Sequence, residues 1–191
     1  MIKYALVGNI ASGKSEAEKI FDKLGFVVID TDLITHDILI DRPDVPKAFA
    51  NYDVFEYGRL SKDKLGKLVF SAPELKQRLE NIIHPLIKEE LENVFKIYSN
   101  ESCVFVSVPL LFEVGWEDMF DKIIFIKSDD DIRLKRLMKN RGYSKEYAQT
   151  RISSQLPQEE KIKKSDYIIE NNSSLEDFKR NIDEFILTAS L

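Results

Sequence analysis

The sequence lacks the features that mark several protein classes. It has one cysteine, which excludes an internal disulfide and leads us to expect a reducing compartment such as the cytoplasm. Its longest apolar runs, such as 103–106 and 123–126, are far shorter than the roughly 20 residues of a membrane-spanning helix. The first eight residues have one cation and no small-residue cleavage site, so we expect neither a signal peptide nor a membrane partner.

Positive charge is also in deficit. The 28 Lys and Arg residues are outnumbered by 33 Asp and Glu, for a formal net charge of −5. Sequence-independent nucleic-acid binding needs the opposite balance, so we expect no nucleic-acid partner, and nothing indicates an obligate protein partner. A small anionic ligand stays possible, because local charge can oppose the global charge. With 191 residues, 43% of them hydrophobic and 32% charged, the chain is an ordinary globular protein of one domain, with room for an inserted subdomain.

Short apolar runs alternate with helical patterns along most of the chain. The runs predict strands at Ile2–Val7, Phe26–Ile29, Cys103–Val108, Ile123–Ile126 and Tyr167–Ile169. The intervening helices are predicted from a stripe at 17, 20, 21 and 24 closed by Gly25, from 129–140, and from a capping box in which Ser174 and Asp177 begin the last helix. Strands with so little polar alternation are typical of a parallel sheet covered on both faces, so we predict an α/β fold.

The stretch from 32 to 99 breaks this alternation, because it contains helical patterns without a convincing strand. Ser61 is predicted to cap a helix over Lys62–Phe70, and a second helix is predicted to begin one residue after Pro73 and to run to about residue 83. His84-Pro85 is predicted to begin a further helix. We therefore predict a core of residues 1–31 and 100–191, with a helical insertion at 32–99.

A phosphate-binding loop is the most specific short motif. The pattern G-x-x-x-x-G-K-[ST] is matched by Gly8-Asn9-Ile10-Ala11-Ser12-Gly13-Lys14-Ser15, followed by Glu16. It lies between an apolar strand and an amphipathic helix, as phosphate binding by backbone amides and a helix N-terminus requires. Lys14 is predicted to reach the β- and γ-phosphates, and the Ser15 hydroxyl to bind Mg²⁺. The motif predicts binding of a nucleoside triphosphate but not what is done with it.

Neighbouring segments narrow the class of phosphate-loop protein. A GTPase is disfavoured because no N-K-x-D segment is present, and a motor ATPase is disfavoured because Ser107 stands where a strand-end Asp is expected. Asp30 and Asp32 follow the second predicted strand, where a carboxylate can hold the waters of Mg²⁺ or accept a hydroxyl proton. Capping of the following helix is the alternative role, especially for Asp30.

Cations concentrate in one segment of this acidic chain. Residues 122–164 hold 12 Lys or Arg against six Asp or Glu, among them Arg133, Arg136, Arg141 and Arg151. Arginines on a mobile flap can neutralise a transferring phosphoryl group, so we predict a lid at about 129–160. A solvated helix face is the alternative, and it is our expectation for Arg133.

The order and spacing of these segments resemble the dephospho-CoA kinase family from about residue 6 to 175. The resemblance is carried by the phosphate-binding loop and by Ile29–Asp32, Ile82–Leu86, Val108–Glu113, Leu134–Gly142, Arg151–Gln155 and Asp166–Asn171. It implies a P-loop NTPase fold, with a parallel sheet flanked by helices, a helical acceptor-binding insertion and a helical lid. It also implies phosphorylation of the ribose 3′-hydroxyl of dephospho-CoA by ATP with Mg²⁺, the last step of coenzyme A synthesis.

The resemblance also implies roles for individual residues. Asp32 matches the catalytic base, and Lys14 and Arg136 match ligands of the γ-phosphate. Acceptor contacts are implied for His84, Leu111 and Phe112, and contacts near the adenine for Asn171 and Asn172. Simple packing is an equally good explanation of Leu111 and Phe112, and a cap or core contact of His84.

The chain departs from the family pattern at several positions. The family usually has Gly at Asn9 and Ala11, Thr at Glu16, Arg at His36, Gln at Arg133, and a second lid Arg at Asn140, beside which Arg141 stands here. These departures keep two other hypotheses open. One is a kinase of another small acceptor such as a nucleoside monophosphate, and the other is a non-catalytic ATP-binding module.

Overall fold

A computed structural model describes residues 1–191, which divide into two compact units. The first unit comprises Met1–Ile29 and Asn100–Leu191, and the second comprises Asp30–Ser99. Elements are numbered along the whole chain. No helix combines the length and the apolar character needed to cross a bilayer.

A five-stranded parallel sheet forms the centre of the first unit and confirms the predicted fold class. Its strands, in the order β2-β5-β1-β6-β7, are β2 (Val27–Asp30), β5 (Cys103–Ser107), β1 (Ile2–Gly8), β6 (Lys122–Lys127) and β7 (Tyr167–Glu170). All five predicted runs are strands. In the central strand, Leu6 is level with Ser107 on one side and with Ile124 on the other.

Helices cover this sheet. They are α1 (Lys14–Lys23), α6 (Leu111–Val114), α7 (Asp130–Arg141), α8 (Lys145–Ser153), α9 (Gln158–Lys163) and α10 (Leu175–Ala189), with a 3₁₀ turn at Glu117–Met119. The predicted capping box is confirmed, because the Asp177 amide donates to Ser174 Oγ over 3.1 Å at the start of α10. Gly25 follows α1 with a φ of +89°, as a helix-ending glycine should. Leu24 was predicted in the apolar stripe, but it is half exposed.

Aromatic rings fill the core beside α1 and α10. Phe21 stacks on Phe105 with 4.2 Å between ring centroids, and Tyr4 stacks on the same ring at 5.1 Å. Phe185 meets these rings edge-on. The single cysteine, Cys103, is buried in this cluster, so it acts as core filler.

The second unit is mostly helical and has its own core. Its elements are α2 (Thr31–Asp41), α3 (Asp44–Ala48), β3 (Phe55–Glu56), β4 (Arg59–Leu60), α4 (Lys62–Ser71) and α5 (Pro73–Ile97). Helices α2, α3 and α4 pack on α5. The buried side chains at the centre are Val45, Phe49, Val54 and Leu65.

Two expectations for this unit were wrong, and a third, the cap at Ser61, was met only in part. A two-residue hairpin, β3-β4, is present where no strand was predicted, and Tyr57 and Gly58 turn it with positive φ values. Helix α5 runs unbroken through Pro85, because packing of its apolar stripe of Ile87, Leu91 and Phe95 outweighs the lost hydrogen bond. Ser61 precedes α4, but its hydroxyl makes no capping bond.

Candidate functional site

The phosphate-binding loop leaves the carboxyl end of β1 and enters α1, and its geometry requires both motif glycines. A Cβ on Gly8 would lie 2.5 Å from Ser12 Oγ and 3.2 Å from the Ile126 carbonyl oxygen. Gly13 has a φ of +103°, and a Cβ there would collide with the Asn171 amide. The loop backbone therefore approaches its neighbours more closely than any residue with a side chain permits.

Ala11 adopts the left-handed conformation that the family's usual glycine would take more easily. Its φ is +61°, which costs an L-residue about 1–2 kcal/mol. The carbonyls of Ala11 and Ser12 both accept hydrogen bonds from Arg136, each over 3.3 Å. The fold thus holds the required turn despite the substitution.

Two buried polar atoms of the loop have no partner within the protein. They are Ser12 Oγ and Asn9 Oδ1, although the Asn9 amide nitrogen donates to the Leu156 carbonyl over 3.0 Å. Such atoms are rare in folded proteins unless a ligand or water completes them. Because they lie in a loop whose amides precede a helix N-terminus, an anionic ligand fits this place.

Lys14 lies at the carboxyl edge of the sheet, beside the end of β5. Its ammonium group is 2.7 Å from Glu18 Oε1 and contacts the Ser107 hydroxyl. Ser107 Oγ in turn donates to Glu18 Oε1 over 2.6 Å. The sequence reasoning missed Glu18, although its position one helical turn after Lys14 was a usable signal. Ser15 and Glu16 follow Lys14 in the first turn of the same helix, and Glu16 pairs with Lys19 at 3.6 Å.

Arg136 and Asn171 clamp the loop from the side of β6 and β7. Besides the two loop carbonyls, the Arg136 guanidinium donates to the Ser128 hydroxyl and to both oxygens of Asn171 over 3.0–3.2 Å. The Asn171 amide nitrogen donates to the Ser12 carbonyl over 2.8 Å. Burial lowers the pKa of the Arg136 guanidinium from its usual value. Three residues that the sequence predicted separately therefore meet in one network.

Arg133 contradicts our expectation of a solvated position, because only 1% of its side chain is exposed. Its Nε donates to the Ile10 carbonyl over 2.9 Å, and its terminal nitrogens donate to Asp130 at 2.7 Å and Gln155 at 3.2 Å. Burial lowers the pKa of Arg133, an effect that the Asp130 carboxylate opposes. The expectation failed because charge alone does not reveal which face of α7 turns toward the loop.

Gln155 completes the fixation of Ile10. Its Oε1 accepts the Ile10 amide over 2.7 Å, so both backbone groups of Ile10 are bonded within the protein. Nearby, the Gln158 amide donates to the Ser128 carbonyl and to Asp130, each over 3.0 Å. The motif at 151–155 signalled Gln155, but no role could be assigned to it from the sequence.

The remaining residues predicted near the nucleotide lie apart from this network. Asn172 accepts the Asp129 amide over 2.8 Å, at the start of α7. Arg141 is exposed in the last turn of the same helix, which Gly142 closes in the left-handed conformation. The structure thus brings Asn171, but neither Asn172 nor Arg141, against the loop.

Helix α6 carries the two apolar residues predicted to contact the acceptor. Leu111 is fully buried, and Phe112 is 9% exposed, with the Lys164 ammonium 5.6 Å from its ring centroid. Beside them, the buried Lys161 forms a 2.7 Å ion pair with Glu113. This arrangement agrees with a packing role for both side chains, and it shows that α9 holds α6 in place.

In the second unit, Asp30 occupies the N-cap position of α2. Its Oδ1 accepts the Asp32 amide over 2.9 Å, so the capping role weighed above is present. Asp32 is exposed in the first turn of this helix. No group of three or more His, Cys, Asp or Glu side chains in the protein is arranged to hold a metal ion by itself.

His84 and His36 occupy different surroundings in this unit. His84 is partly buried in the middle of α5, where burial lowers its pKa, Glu80 opposes that shift and Lys88 adds to it. His36, which stands where the family usually has Arg, contacts the Lys62 side chain.

The chemistry available to this site is the binding of phosphate groups. The loop offers a helix N-terminus, an unpartnered buried hydroxyl and the ammonium of Lys14, all at one edge of the sheet. Ligands of open parallel sheets bind at this edge.

Comparisons with known proteins agree with this chemistry. The sequence model of the dephospho-CoA kinase family matches residues 2–177. A dephospho-CoA kinase from Fusobacterium nucleatum is 36% identical over 186 residues, which cover 96% of each chain. A dephospho-CoA kinase structure from Campylobacter jejuni superposes with a TM-score of 0.78 at 34% identity, covering 98% of this chain and 96% of that one. A crystal structure of a Thermus thermophilus protein superposes with a TM-score of 0.82 at 32% identity, covering 98% of this chain and 97% of that one.

Proposed function

Because the chain belongs to the dephospho-CoA kinase family, we propose that it transfers the γ-phosphoryl group of ATP to the ribose 3′-hydroxyl of dephospho-CoA. The products are coenzyme A and ADP. The observation that carries the proposal is the family match over residues 2–177, which includes an intact phosphate-binding loop with an unpartnered buried hydroxyl at Ser12.

The nucleotide phosphates bind on the loop from Gly8 to Ser15 and on Glu16, which lies in the first turn of α1. Lys14 reaches the terminal phosphates, and Arg136 adds positive charge where negative charge builds up during transfer. The network around Arg136 keeps the loop in its binding shape before the nucleotide arrives, which reduces the reorganisation that binding requires. Asn171 and Asn172 form the adenine side of the site, and Arg141 binds ATP in place of the lid arginine that is missing at Asn140.

Mg²⁺ fits the first turn of α1, where the exposed Ser15 hydroxyl stands beside the phosphate-binding loop. When bound, the ion neutralises charge on the phosphate oxygens. Asp30 is the second candidate ligand, although it already accepts a hydrogen bond from the α2 backbone.

Asp32 is the proposed catalytic base. Its carboxylate takes the proton of the 3′-hydroxyl while that oxygen forms a bond to the γ-phosphorus. The bond from the γ-phosphorus to the bridging oxygen breaks in the same step, and ADP leaves with the electron pair. His84, Leu111 and Phe112 contact the acceptor, residues 32–99 form its binding subdomain, and 129–160 act as a lid. The enzyme works in the cytoplasm with ATP and dephospho-CoA as its partners.

The reaction is tested by incubating the protein with Mg-ATP and dephospho-CoA and weighing the acceptor by mass spectrometry. We expect the acceptor to gain one phosphoryl group and an equal amount of ADP to form. A parallel set with nucleoside monophosphates checks the alternative acceptor class. If ATP binds but no acceptor is phosphorylated, the non-catalytic alternative is correct.

The role of Asp32 is tested with Asp32→Asn. We expect kcat to fall by at least about 100-fold, because the amide cannot accept the proton, while the affinity for ATP stays within a few-fold. Asp37→Asn, which removes the same charge from the same exposed helix, is the control and should keep wild-type turnover. Asp32 is not the base if its variant turns over within a few-fold of wild type.

A further inference from the structure

One carboxylate beside the phosphate-binding loop has no place in the proposed mechanism. Glu18 extends from α1 one turn after Lys14, and its Oε1 lies 2.7 Å from the Lys14 ammonium. The two side chains are only 14% and 16% exposed, so water screens this ion pair less than it screens pairs on the surface. The pair therefore involves the same ammonium group that the nucleotide phosphates require.

Ser107 fixes the carboxylate in this place. Its hydroxyl donates to Glu18 Oε1 over 2.6 Å and contacts the Lys14 ammonium, so the three side chains form a closed triangle. Ser107 is the last residue of β5 and is itself fully buried. Strand β5 thus ends in a neutral residue, and the negative charge beside it comes from Glu18 of helix α1.

The triangle and a nucleotide compete for Lys14. An ammonium group has three N–H donors, and two of them already point to Glu18 and Ser107. A triphosphate brings several negative charges toward the same ammonium and therefore toward the Glu18 carboxylate. The phosphate charges and the Glu18 carboxylate would then lie close together, and like charges repel each other strongly in a partly buried site.

We propose that Glu18 is a positioning residue that holds Lys14 at the end of β5 in the nucleotide-free enzyme and gives it up when phosphate binds. The ion pair lowers nucleotide affinity, because binding must displace the carboxylate or tolerate its charge. It thereby favours release of ADP after transfer. This inference rests on the nucleotide side of the proposed function and not on the identity of the acceptor.

The test is Glu18→Gln, which keeps acceptor geometry for Ser107 and Lys14 but removes the charge. Dissociation constants are measured by calorimetry for ATP, ADP and AMP without Mg²⁺, and again for ATP with Mg²⁺. We expect ATP to bind roughly tenfold more tightly to the variant, ADP to gain less and AMP to change little, because the repulsion grows with charge near Lys14. A purely structural defect would weaken all three nucleotides alike.

Asp22→Asn is the matched control, since it removes one negative charge from the exposed end of the same helix. It should shift the three constants by no more than about twofold. Glu18→Met, neutral and of similar length, replaces the Gln variant if the latter does not fold, as judged by its thermal transition, and should show the same ordering.

Unchanged or weaker ATP binding in the neutral variants would overturn the proposal. So would a loss of affinity seen only with Mg²⁺, because Glu18 would then serve the metal and not Lys14. Turnover of dephospho-CoA by the wild-type protein is measured in parallel. If the variant binds ATP more tightly but the wild-type protein does not phosphorylate dephospho-CoA, only the proposed function is contradicted. If the wild-type protein phosphorylates dephospho-CoA but the variant does not bind ATP more tightly, only this inference is contradicted.

Discussion

Buried charged side chains shape the phosphate-binding loop at the scale of single residues. Arg133 is almost fully buried, yet each of its nitrogens has an acceptor, and the Asp130 carboxylate balances its charge. Burying an unpaired charge costs free energy, so Arg133 can be buried only because the fold supplies these partners at the same time. The result is that both the N–H and the C=O of Ile10 are bonded to side chains of the protein.

Arg133→Met should therefore destabilise the protein and loosen the loop. It leaves the Ile10 carbonyl and the Gln155 and Asp130 oxygens short of donors, so we expect a loss of about 2–4 kcal/mol in the free energy of unfolding. ATP affinity should fall several-fold, and Arg133→Gln should be milder because an amide can still donate. Urea unfolding and ATP calorimetry measure both effects. Lys135→Met, exposed on the same helix, should change neither.

His84 should make stability depend on pH. Burial lowers its pKa from the ordinary 6.5, so the folded protein disfavours the protonated ring. As the pH falls below about 6.5, the unfolded chain therefore takes up more protons than the folded protein does. The free energy of unfolding then decreases until the pH has passed the pKa of the folded state. We expect His84→Gln to flatten the pH dependence of the unfolding free energy below pH 6.5. An unchanged slope would mean that other groups cause it.

At the scale of elements, α5 shows packing overriding local propensity. Pro85 cannot donate a hydrogen bond to the turn before it, yet the helix, which is 25 residues long in all, continues past it to Ile97. Two neighbouring helices, α2 and α4, pack on α5, and the apolar stripe of α5 is buried. The proline signals in the sequence therefore predicted the start of α5 to within one residue at Pro73, but wrongly predicted a new helix start at Pro85.

Pro85→Ala should stabilise the second unit. The alanine restores a backbone donor and removes ring crowding, so we expect the free energy of unfolding to rise by about 1–3 kcal/mol. Urea denaturation followed by circular dichroism provides the measurement, and ATP affinity should not change. Pro73→Ala is the control, because a proline at the first position of a helix costs little. A destabilised Pro85→Ala protein would show that α5 needs the distortion.

At the scale of the whole molecule, the net charge of −5 conceals the basic segment at residues 122–164. The structure shows that the cations of this segment are not all exposed. Two of its cations, Arg133 and Lys161, are buried and paired with Asp130 and Glu113. They hold elements together and are not free to meet a ligand. The positive charge that residues 122–164 can offer to a ligand is thus smaller than their count of 12 cations suggests.

Separate cores in the two units should make their stabilities separable. Phe49 is fully buried in the core of Asp30–Ser99, and Phe21 is fully buried in that of the other unit. We expect Phe49→Leu to cost about 1–2 kcal/mol and to speed amide hydrogen exchange mainly within residues 30–99. ATP affinity should stay within about twofold. Phe21→Leu should show the opposite pattern, and uniform acceleration by either variant would mean that the units unfold together.

The sequence by itself determined the parallel α/β fold, the five strands, the phosphate-binding loop and the family. These follow from local signals, because period, glycine spacing and segment order are written along the chain. The one local prediction that failed for strands, at β3-β4, concerns a hairpin of two-residue strands that is too short to show alternation. The roles of Asp32, His84, Arg141 and Asn172 stay predictions from the resemblance.

Only the tertiary structure decided how side chains distant in sequence share the loop. Ile10 meets Gln155 and Arg133, while Lys14 meets Ser107, because the carboxyl ends of parallel strands and the helices after them converge at one edge. Which side chains are buried at that edge, and which groups they bond, depends on how each helix is rotated about its axis. Hydrophobic patterning alone does not fix that rotation to a fraction of a turn. For that reason the same cationic residue type is exposed at Arg141 and buried at Arg133.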